Sequence, residues 1–318
     1  MSKQPFILAL SKSADRQLDM LAGLPHAIAG SASDLDASAN GADVILHWAG
    51  PRELLRAAFL TNPGVRWVHS RAAGLDSILF PELVESAVPL TNGTGVFSPS
   101  LGEFALAAIL YFAKDFRRML RNQAAGRWEP FDVEEIAGQT VGIVGYGDIG
   151  RAAASRVHAM GMRVLALKRH APTAPDPLVT RFFAPGELTN LLALSDYVVA
   201  AAPLTPETHH MIDEAAIAAM KPSAVVINVG RGPVIDQAAL VRALTERRIR
   251  GAGLDVFEQE PIPAGDPIYQ LENVLVSPHC ADHTKDWLDR AMQFFLLQYQ
   301  RFSSDEPLEN VVEKRLGY

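Results

Sequence analysis

The sequence predicts an α/β protein made of two doubly wound parallel-sheet domains, one inserted into the other. Three observations lead there. Short apolar runs alternate with helix-patterned segments along most of the chain, the pattern of a parallel sheet covered by helices on both faces. The stretch Val141-Gly-Ile-Val-Gly-Tyr-Gly-Asp-Ile-Gly-Arg151 reads as a strand, a glycine turn and a helix start inside one βαβ unit. That turn lies deep in the chain, with about 140 residues before it, enough for a separate domain. A last long helix follows the final strand of the second half and is expected to return to the first domain. The expected division is 1–98 with 285–318 for the outer domain and 99–284 for the inserted one.

In the first half, residues 6–10, 26–29, 43–47, 66–70 and 88–91 read as strands, and 14–21 and 51–59 as helices. Pro51 sits near a first turn, where its missing N–H costs little. Residues 98–120 read as one long helix with Ser98 as cap and Pro99 in the first turn. Its apolar content is too high for a free surface helix, which makes it a connector packed between domains. Residues 123–136 form an irregular arm containing Trp128. Further strands are expected at 141–144, 164–167, 181–184, 197–201, 224–229, 251–256 and 274–277. Helices are expected at 148–160, 213–220, 236–247 and 282–302.

The bulk composition narrows the function. Of 318 residues, 48% are hydrophobic and 20% charged, so the chain can bury a core and is not disordered. A formal net charge of −7 argues against a nucleic-acid partner. One cysteine, Cys280, rules out a disulfide framework and suits a reducing compartment. No basic stretch followed by a signal-length apolar core opens the chain. The most apolar helix segment, 104–113, is too short to span a bilayer. A cytoplasmic protein with no membrane partner and no metal site is expected.

The glycine turn has a specific chemistry. Gly145 permits the tight turn, Gly147 lets a pyrophosphate approach bare backbone, and Gly150 allows the helix to pack closely on the sheet. Asp148 and Ile149 open the helix, whose free N–H groups and positive dipole end face the phosphates. A dinucleotide is the implied ligand. An acidic residue normally follows such a turn by roughly 20 residues and binds the ribose 2′-hydroxyl. Here the second strand runs into Lys168, Arg169 and His170, and no carboxylate appears until Asp176, after two prolines. Lysine and arginine can bind a 2′-phosphate through charge-assisted bonds. NADP(H) is therefore expected to be preferred, with NAD(H) possible. The plain alternative is a solvated basic strand end.

Three stretches sit at predicted strand ends in the second half, where ligands bind in open α/β sheets. Arg231 stands between glycines and can grip a carboxylate with two prongs. Asp255 ends a strand, with Glu258 and Glu260 in the following loop. His279 follows a proline at another strand end. Each has a structural alternative: a turn arginine, two solvated carboxylates, a packed histidine. Together they suggest one mechanism. Hydride transfer to a carbonyl needs a proton donor, and histidine suits that task. A carboxylate on its other nitrogen favours the charged ring and fixes it. An arginine binds the substrate carboxylate and polarises the carbonyl. Arg231, Glu260 and His279 could supply these parts.

At these residues the chain resembles the D-isomer-specific 2-hydroxyacid dehydrogenases. The resemblance covers nearly the full length. It rests on RAAGLD at 71–76, GYGDIG at 145–150, the Pro203-to-Thr208 turn PLTPET, INVGRG at 227–232, GLDVFEQEP at 253–261, SPH at 277–279 and EPLEN at 306–310. It implies a Rossmann cofactor domain within a discontinuous flavodoxin-like substrate domain. It also implies that Arg231, Glu260 and His279 are the catalytic set, with Glu260 rather than Glu258 partnering the histidine. Asp255 and Pro203 would lie on the cofactor, and the backbone of Ala73 and Gly74 on the substrate carboxylate. The family is typically homodimeric, so the arm around Trp128 is expected at an interface. Two departures are Arg71, beside the substrate loop, and the basic pair Lys168-Arg169. The sequence looks most similar to NADPH-linked glyoxylate and hydroxypyruvate reductases and related 2-ketoacid reductases. No appended regulatory domain is expected after Tyr318. The expected activity is NADP(H)-linked reduction of a small 2-keto acid to a D-2-hydroxy acid, with Trp48, Arg71 and Trp287 as candidate pocket walls. The rival is a dinucleotide-sensing binding protein of the same fold without turnover, since such relatives can retain the three residues.

Overall fold

Apolar strands of four or five residues form the heart of each sheet, because a parallel strand covered by helices must be apolar on both sides. A computed structural model describes residues 4–11, 15–35, 39–170 and 172–317. The chain divides into two units, Met1–Phe97 with Lys285–Tyr318, and Ser98–Thr284.

The first unit holds β1 (Ile7–Leu10), β2 (His26–Ala29), β3 (Val44–His47), β4 (Trp67–Ser70) and β5 (Leu90–Thr91). All pairs are parallel, in the order β2-β1-β3-β4-β5. This is the flavodoxin-like doubly wound order. Strands β1, β3 and β4 are buried along their whole length. Alternation in β4 sends Trp67 and His69 to one face. There Phe295 of the final helix packs against both rings, at 5.4 Å each. Thr91 Oγ1 lies 2.8 Å from Trp67 Nε1 and 2.7 Å from His69 Nδ1. The indole N–H can only donate, so Thr91 Oγ1 accepts it and keeps its own proton, which can be given to Nδ1 of a neutral imidazole. Burial pushes the His69 pKa down to about 3.

The second unit holds β6 (Thr140–Val144), β7 (Arg163–Leu167), β8 (Arg181–Phe183), β9 (Tyr197–Ala200), β10 (Val225–Asn228), β11 (Gly251–Leu254) and β12 (Val274–Val276). They run parallel in the order β12-β11-β10-β9-β6-β7-β8. The order reverses between β6 and β9, and a ligand crevice forms at such a switch point. The helices in chain order are α1 (Arg52–Thr61), α2 (Pro81–Glu85), α3 (Ser98–Ala113), α4 (Phe116–Ala124), α5 (Asp148–Ala159), α6 (Leu188–Leu194), α7 (Glu214–Ala218), α8 (Gln237–Thr245) and α9 (Trp287–Ser303). The first two and α9 belong to the first unit. No helix among the described residues is long and apolar enough to cross a membrane.

The structure corrects three sequence readings. The single helix expected at 98–120 is two helices, α3 and α4. Asp115 adopts a left-handed φ of 48°, and its carboxylate accepts the Arg118 N–H, so it starts a new helix instead of continuing the old one. The helix expected at 14–21 is a 3₁₀ turn at Arg16–Leu21; its expected first residue, Ala14, lies outside the described residues. The last helix begins at Trp287, five residues later than expected. The N–H groups of Cys280 and Ala281 are held by Asp255, and 280–284 close into turns. The arm at 127–135 has no regular structure, and Trp128 is 98% exposed.

Candidate active site

The glycine turn joins β6 to α5 at the switch point. Gly145 has a φ of 96°, and a Cβ there would stand 2.5 Å from the Ala202 backbone beyond β9. Gly150 lies against the Gly145 carbonyl, where a Cβ would come within 2.2 Å. A Cβ on Gly147 would meet nothing within 4 Å, so its backbone stands open to a ligand. No side chain caps α5 at Gly147, which leaves the first N–H groups of the helix for a phosphate. These features fit a bound dinucleotide. Asp148 accepts a hydrogen bond from Ser98 Oγ, so its carboxylate ties the helix start to α3, and Ile149 follows in the first turn of α5. Pro203 lies just past β9, and its carbonyl accepts the Thr208 hydroxyl at 2.6 Å, which closes the PLTPET turn.

A cavity of about 370 Å³ opens beside the turn, lined by Tyr146, Arg151, Lys168, Pro175, Asp176 and Phe182 among others. The basic pair from the sequence separates here. Lys168 lines the cavity, whereas Arg169 pairs with Glu207 at 3.4 Å. Asp176, distant in sequence, folds back to the turn. Its Oδ2 accepts Tyr146 Oη at 3.0 Å and Arg151 Nε at 3.1 Å. Burial raises the Tyr146 phenol above its ordinary range, and its bond to Asp176 raises it further. Burial also pushes the Asp176 carboxyl up, but bonds from Leu178 N–H, Tyr146 and Arg151 outweigh it and hold the group below its usual range.

Three adjacent strands deliver the reactive candidates. Asn228, Leu254 and Val276 are in register across β10, β11 and β12, so the segments that follow them emerge side by side. Arg231 is half-buried in the turn after β10. The Asn228 side chain fixes that turn by donating to Arg231 O at 3.0 Å and accepting from Gly230 N at 3.1 Å. Gly232 packs so tightly on the next loop that a Cβ would fall 1.9 Å from Phe257 C. Asp255, 1% exposed, directly follows β11. Its Oδ1 accepts Ser277 Oγ and the N–H groups of Cys280 (2.9 Å) and Ala281 (3.0 Å), while its carbonyl accepts His279 N–H at 2.9 Å. One buried carboxylate thus shapes the loop that carries the histidine.

His279 sits in that loop at a φ of 51°. Its Nδ1 is 2.6 Å from Glu260 Oε2, and Glu260 Oε1 accepts the Phe257 N–H at 2.9 Å. Glu258 has another employment: its Oε1 lies 2.7 Å from His210 Nε2 and 3.1 Å from Gln237 N. A carboxylate fixed at both oxygens orients the imidazole and leaves Nε2 as the nitrogen that can handle a substrate proton.

In the first unit, residues 71–74 follow β4. Asn92 Nδ2 donates to Ala73 O at 2.7 Å, and Gly93 makes room for Arg71 O, which would lie 2.2 Å from a Cβ. Gly74 continues this turn. The Arg71 guanidinium lies 5.1 Å from the rings of both Trp48 and Trp287, so these three proposed wall residues do meet. Sequence reasoning missed Tyr146, Arg151 and Asn92 and took Asp176 as too distant. Asp176 sits in a proline-rich loop without periodicity, and only the fold returns it to the turn.

The seven-stranded sheet and its glycine turn define a dinucleotide-binding domain. The family profile described as D-isomer specific 2-hydroxyacid dehydrogenase, NAD binding domain, matches residues 106–281. The chain belongs to the D-isomer specific 2-hydroxyacid dehydrogenase family. It is 36% identical over 264 residues to a glyoxylate reductase of Korarchaeum cryptofilum, covering 81% of this chain and 79% of that protein. A glyoxylate reductase of Thermococcus gammatolerans is 37% identical over 239 residues, covering 71% and 70%. Among solved structures, a D-isomer specific 2-hydroxyacid dehydrogenase of Xanthobacter autotrophicus in complex with NADPH and MES aligns at a TM-score of 0.85. That pair shares 31% identity and covers 99% of this chain and 100% of that one. An NADPH-dependent glyoxylate/hydroxypyruvate reductase of Sinorhizobium meliloti, in complex with NADP and sulfate, also aligns at 0.85, with 27% identity and the same coverage.

Proposed function

We propose that this protein is an NADP(H)-preferring reductase of small 2-keto acids of the glyoxylate and hydroxypyruvate kind, forming D-2-hydroxy acids. The observation that carries this is the His279–Glu260 pair at 2.6 Å, formed between the loops that follow β12 and β11, next along the sheet from β10 and its Arg231 turn. Bound NADPH supplies the hydride. His279 Nε2 gives a proton to the oxygen of the reduced carbonyl. Glu260 holds the ring and balances its charge. Arg231 clamps the substrate carboxylate and stabilises negative charge gathering on the carbonyl oxygen. The backbone of Ala73 and Gly74 binds the same carboxylate. Gly145, Gly147, Asp148, Ile149 and Gly150 cradle the pyrophosphate, Pro203 and Asp255 border the nicotinamide half, and Lys168 and Arg169 favour the 2′-phosphate. The glyoxylate reductases among its relatives and the NADPH- and NADP-bound structures support this reading over a sensor without turnover.

We place the protein in the cytoplasm as a homodimer. The bare Trp128, 98% exposed, and Leu120, 61% exposed, support a partner surface near α4. The deciding experiment is an assay with keto acids from glyoxylate to phenylpyruvate, run with NADPH and then NADH. The expected result is turnover with a small keto acid and a specificity constant at least about tenfold higher for NADPH, about 1.4 kcal/mol. Dinucleotide binding without turnover of any keto acid would favour the sensor. Equal use of NADH would remove the NADP preference.

A further inference from the structure

The cavity beside the glycine turn contains a cation and its own counter-ion. Arg151 is the residue directly after the last glycine of the turn, in the early part of α5. Its side chain is 61% exposed, while that of Asp176 is 15% exposed. Asp176 is also anchored by Tyr146 Oη, on the same Oδ2 that Arg151 bonds, and by Leu178 N–H on Oδ1. The acid is therefore held by two further bonds, and the arginine is the solvent-exposed member of the pair. Lys168 lines the same cavity. An arginine prefers a phosphate, which offers it paired oxygens and more charge than one carboxylate oxygen. A fixed carboxylate close to that phosphate repels it.

We propose that Asp176 is a built-in competitor of the ribose 2′-phosphate: it holds Arg151 in the free protein, and the phosphate must take Arg151 away from it. Arg151 is then a cofactor-specificity residue, and Asp176 limits how strongly the phosphorylated dinucleotide is preferred. This rests on the second unit binding NADP(H). Discrimination at this site is a difference between attraction by Lys168, Arg169 and Arg151 and repulsion by Asp176. Asp176→Asn keeps an acceptor for the Tyr146 hydroxyl but removes the charge, and should release the arginine.

The test is calorimetric titration of the whole protein with adenosine 2′,5′-bisphosphate and with 5′-AMP, which lacks the 2′-phosphate. It needs no turnover. Asp176→Asn should bind the bisphosphate several-fold more tightly and 5′-AMP within about twofold of wild type. Arg151→Gln should weaken the bisphosphate by about tenfold, the scale of one lost charge-assisted bond, and leave 5′-AMP alone. In the Arg151→Gln background the same Asp176→Asn change should bring a smaller gain than it does in wild type, because only the direct repulsion then remains to be removed. Unchanged 5′-AMP affinity also shows that each variant is folded. Bisphosphate affinity that stays the same or falls in Asp176→Asn overturns the proposal. So does loss of 5′-AMP affinity in that variant, which would make Asp176 the acceptor of a ribose hydroxyl. The NADP preference stands or falls separately. Wild-type binding of the bisphosphate no tighter than 5′-AMP, with a gain in Asp176→Asn, keeps the competitor and ends the preference. A wild-type preference that neither variant alters keeps the preference and ends the competitor.

Discussion

Asp255→Asn tests how the proton donor is held. The carboxylate is 1% exposed, and its Oδ1 takes three hydrogen bonds, from Ser277 Oγ, Cys280 N and Ala281 N. Asparagine keeps the shape and one acceptor oxygen but loses the charge. A hydrogen bond to a charged group contributes about 1.5–3 kcal/mol and a neutral one about 0.5–1.5. Three bonds each weakened by about 1 kcal/mol give a loss of about 3 kcal/mol. The His279 N–H still reaches the Asp255 carbonyl at 2.9 Å, so the loop should loosen rather than unfold. A displacement of about 1 Å at a reacting group can cost about 100-fold in rate. Urea unfolding followed by circular dichroism reads the stability, steady-state kinetics with NADPH and a keto acid read turnover, and calorimetry reads cofactor binding. The expected pattern is lower stability and kcat reduced about 100-fold, with any loss of NADPH affinity much smaller than the loss of kcat. Stability within about 0.5 kcal/mol of wild type together with normal kcat would refute this account of the loop. Weakened NADPH binding at normal kcat would move Asp255 to direct cofactor contact.

Other substitutions separate the remaining roles. His279→Asn should cut keto-acid reduction by about 10²–10⁴-fold with NADPH binding nearly intact; near wild-type turnover would sink the proton-donor role. Arg231→Lys keeps the charge but loses the planar fork, so KM should rise and kcat fall together, and an effect on cofactor affinity alone would contradict a substrate clamp. His69 gives a pH signature. Its folded pKa of about 3 lies below the ordinary 6.5, so the unfolded chain takes up a proton that the folded one refuses. Its stabilising contribution is complete above pH 6.5 and is lost as pH falls towards 3. Between pH 5.5 and 4.5, wild type should lose up to about 1.4 kcal/mol more than His69→Gln, and parallel stability curves from denaturant melts at the two pH values would refute the buried neutral ring.

Local patterns carried far in this chain because its strands are short, apolar and separated by turn signals. The strand at Thr140–Val144, the three glycines and the helix from Asp148 all follow from nearest-neighbour chemistry: a Cβ-free turn, a free helix start, an apolar run. The loops that hold His279, Glu260 and Arg231 were found at strand ends for the same reason. Pattern failed where a polar group stopped the helix. Asp115 ended α3 by a left-handed backbone and a side-chain cap, which hydrophobic content cannot report. The short helices Pro81–Glu85 and Leu188–Leu194 escaped because one or two turns hold too few residues for a period to show.

The sequence by itself determined two parallel α/β sheets, the dinucleotide turn and the residue types available for proton transfer and carboxylate binding. Those follow from backbone sterics and from side-chain chemistry, which are local properties. Only the tertiary structure decided which groups meet. It chose Glu260 over Glu258 for His279, because Glu258 is engaged by His210 and Gln237. It gave Asp255 the task of shaping the loop from 277 to 281. It sent Arg169 to Glu207 while Lys168 kept the cavity, and it brought Asp176 back to Tyr146 and Arg151. Distance in space between loops depends on how strands are ordered and how far each loop reaches. Neither is written in the residues of any one segment, so the charges that compete at the glycine turn become visible only after the chain has folded.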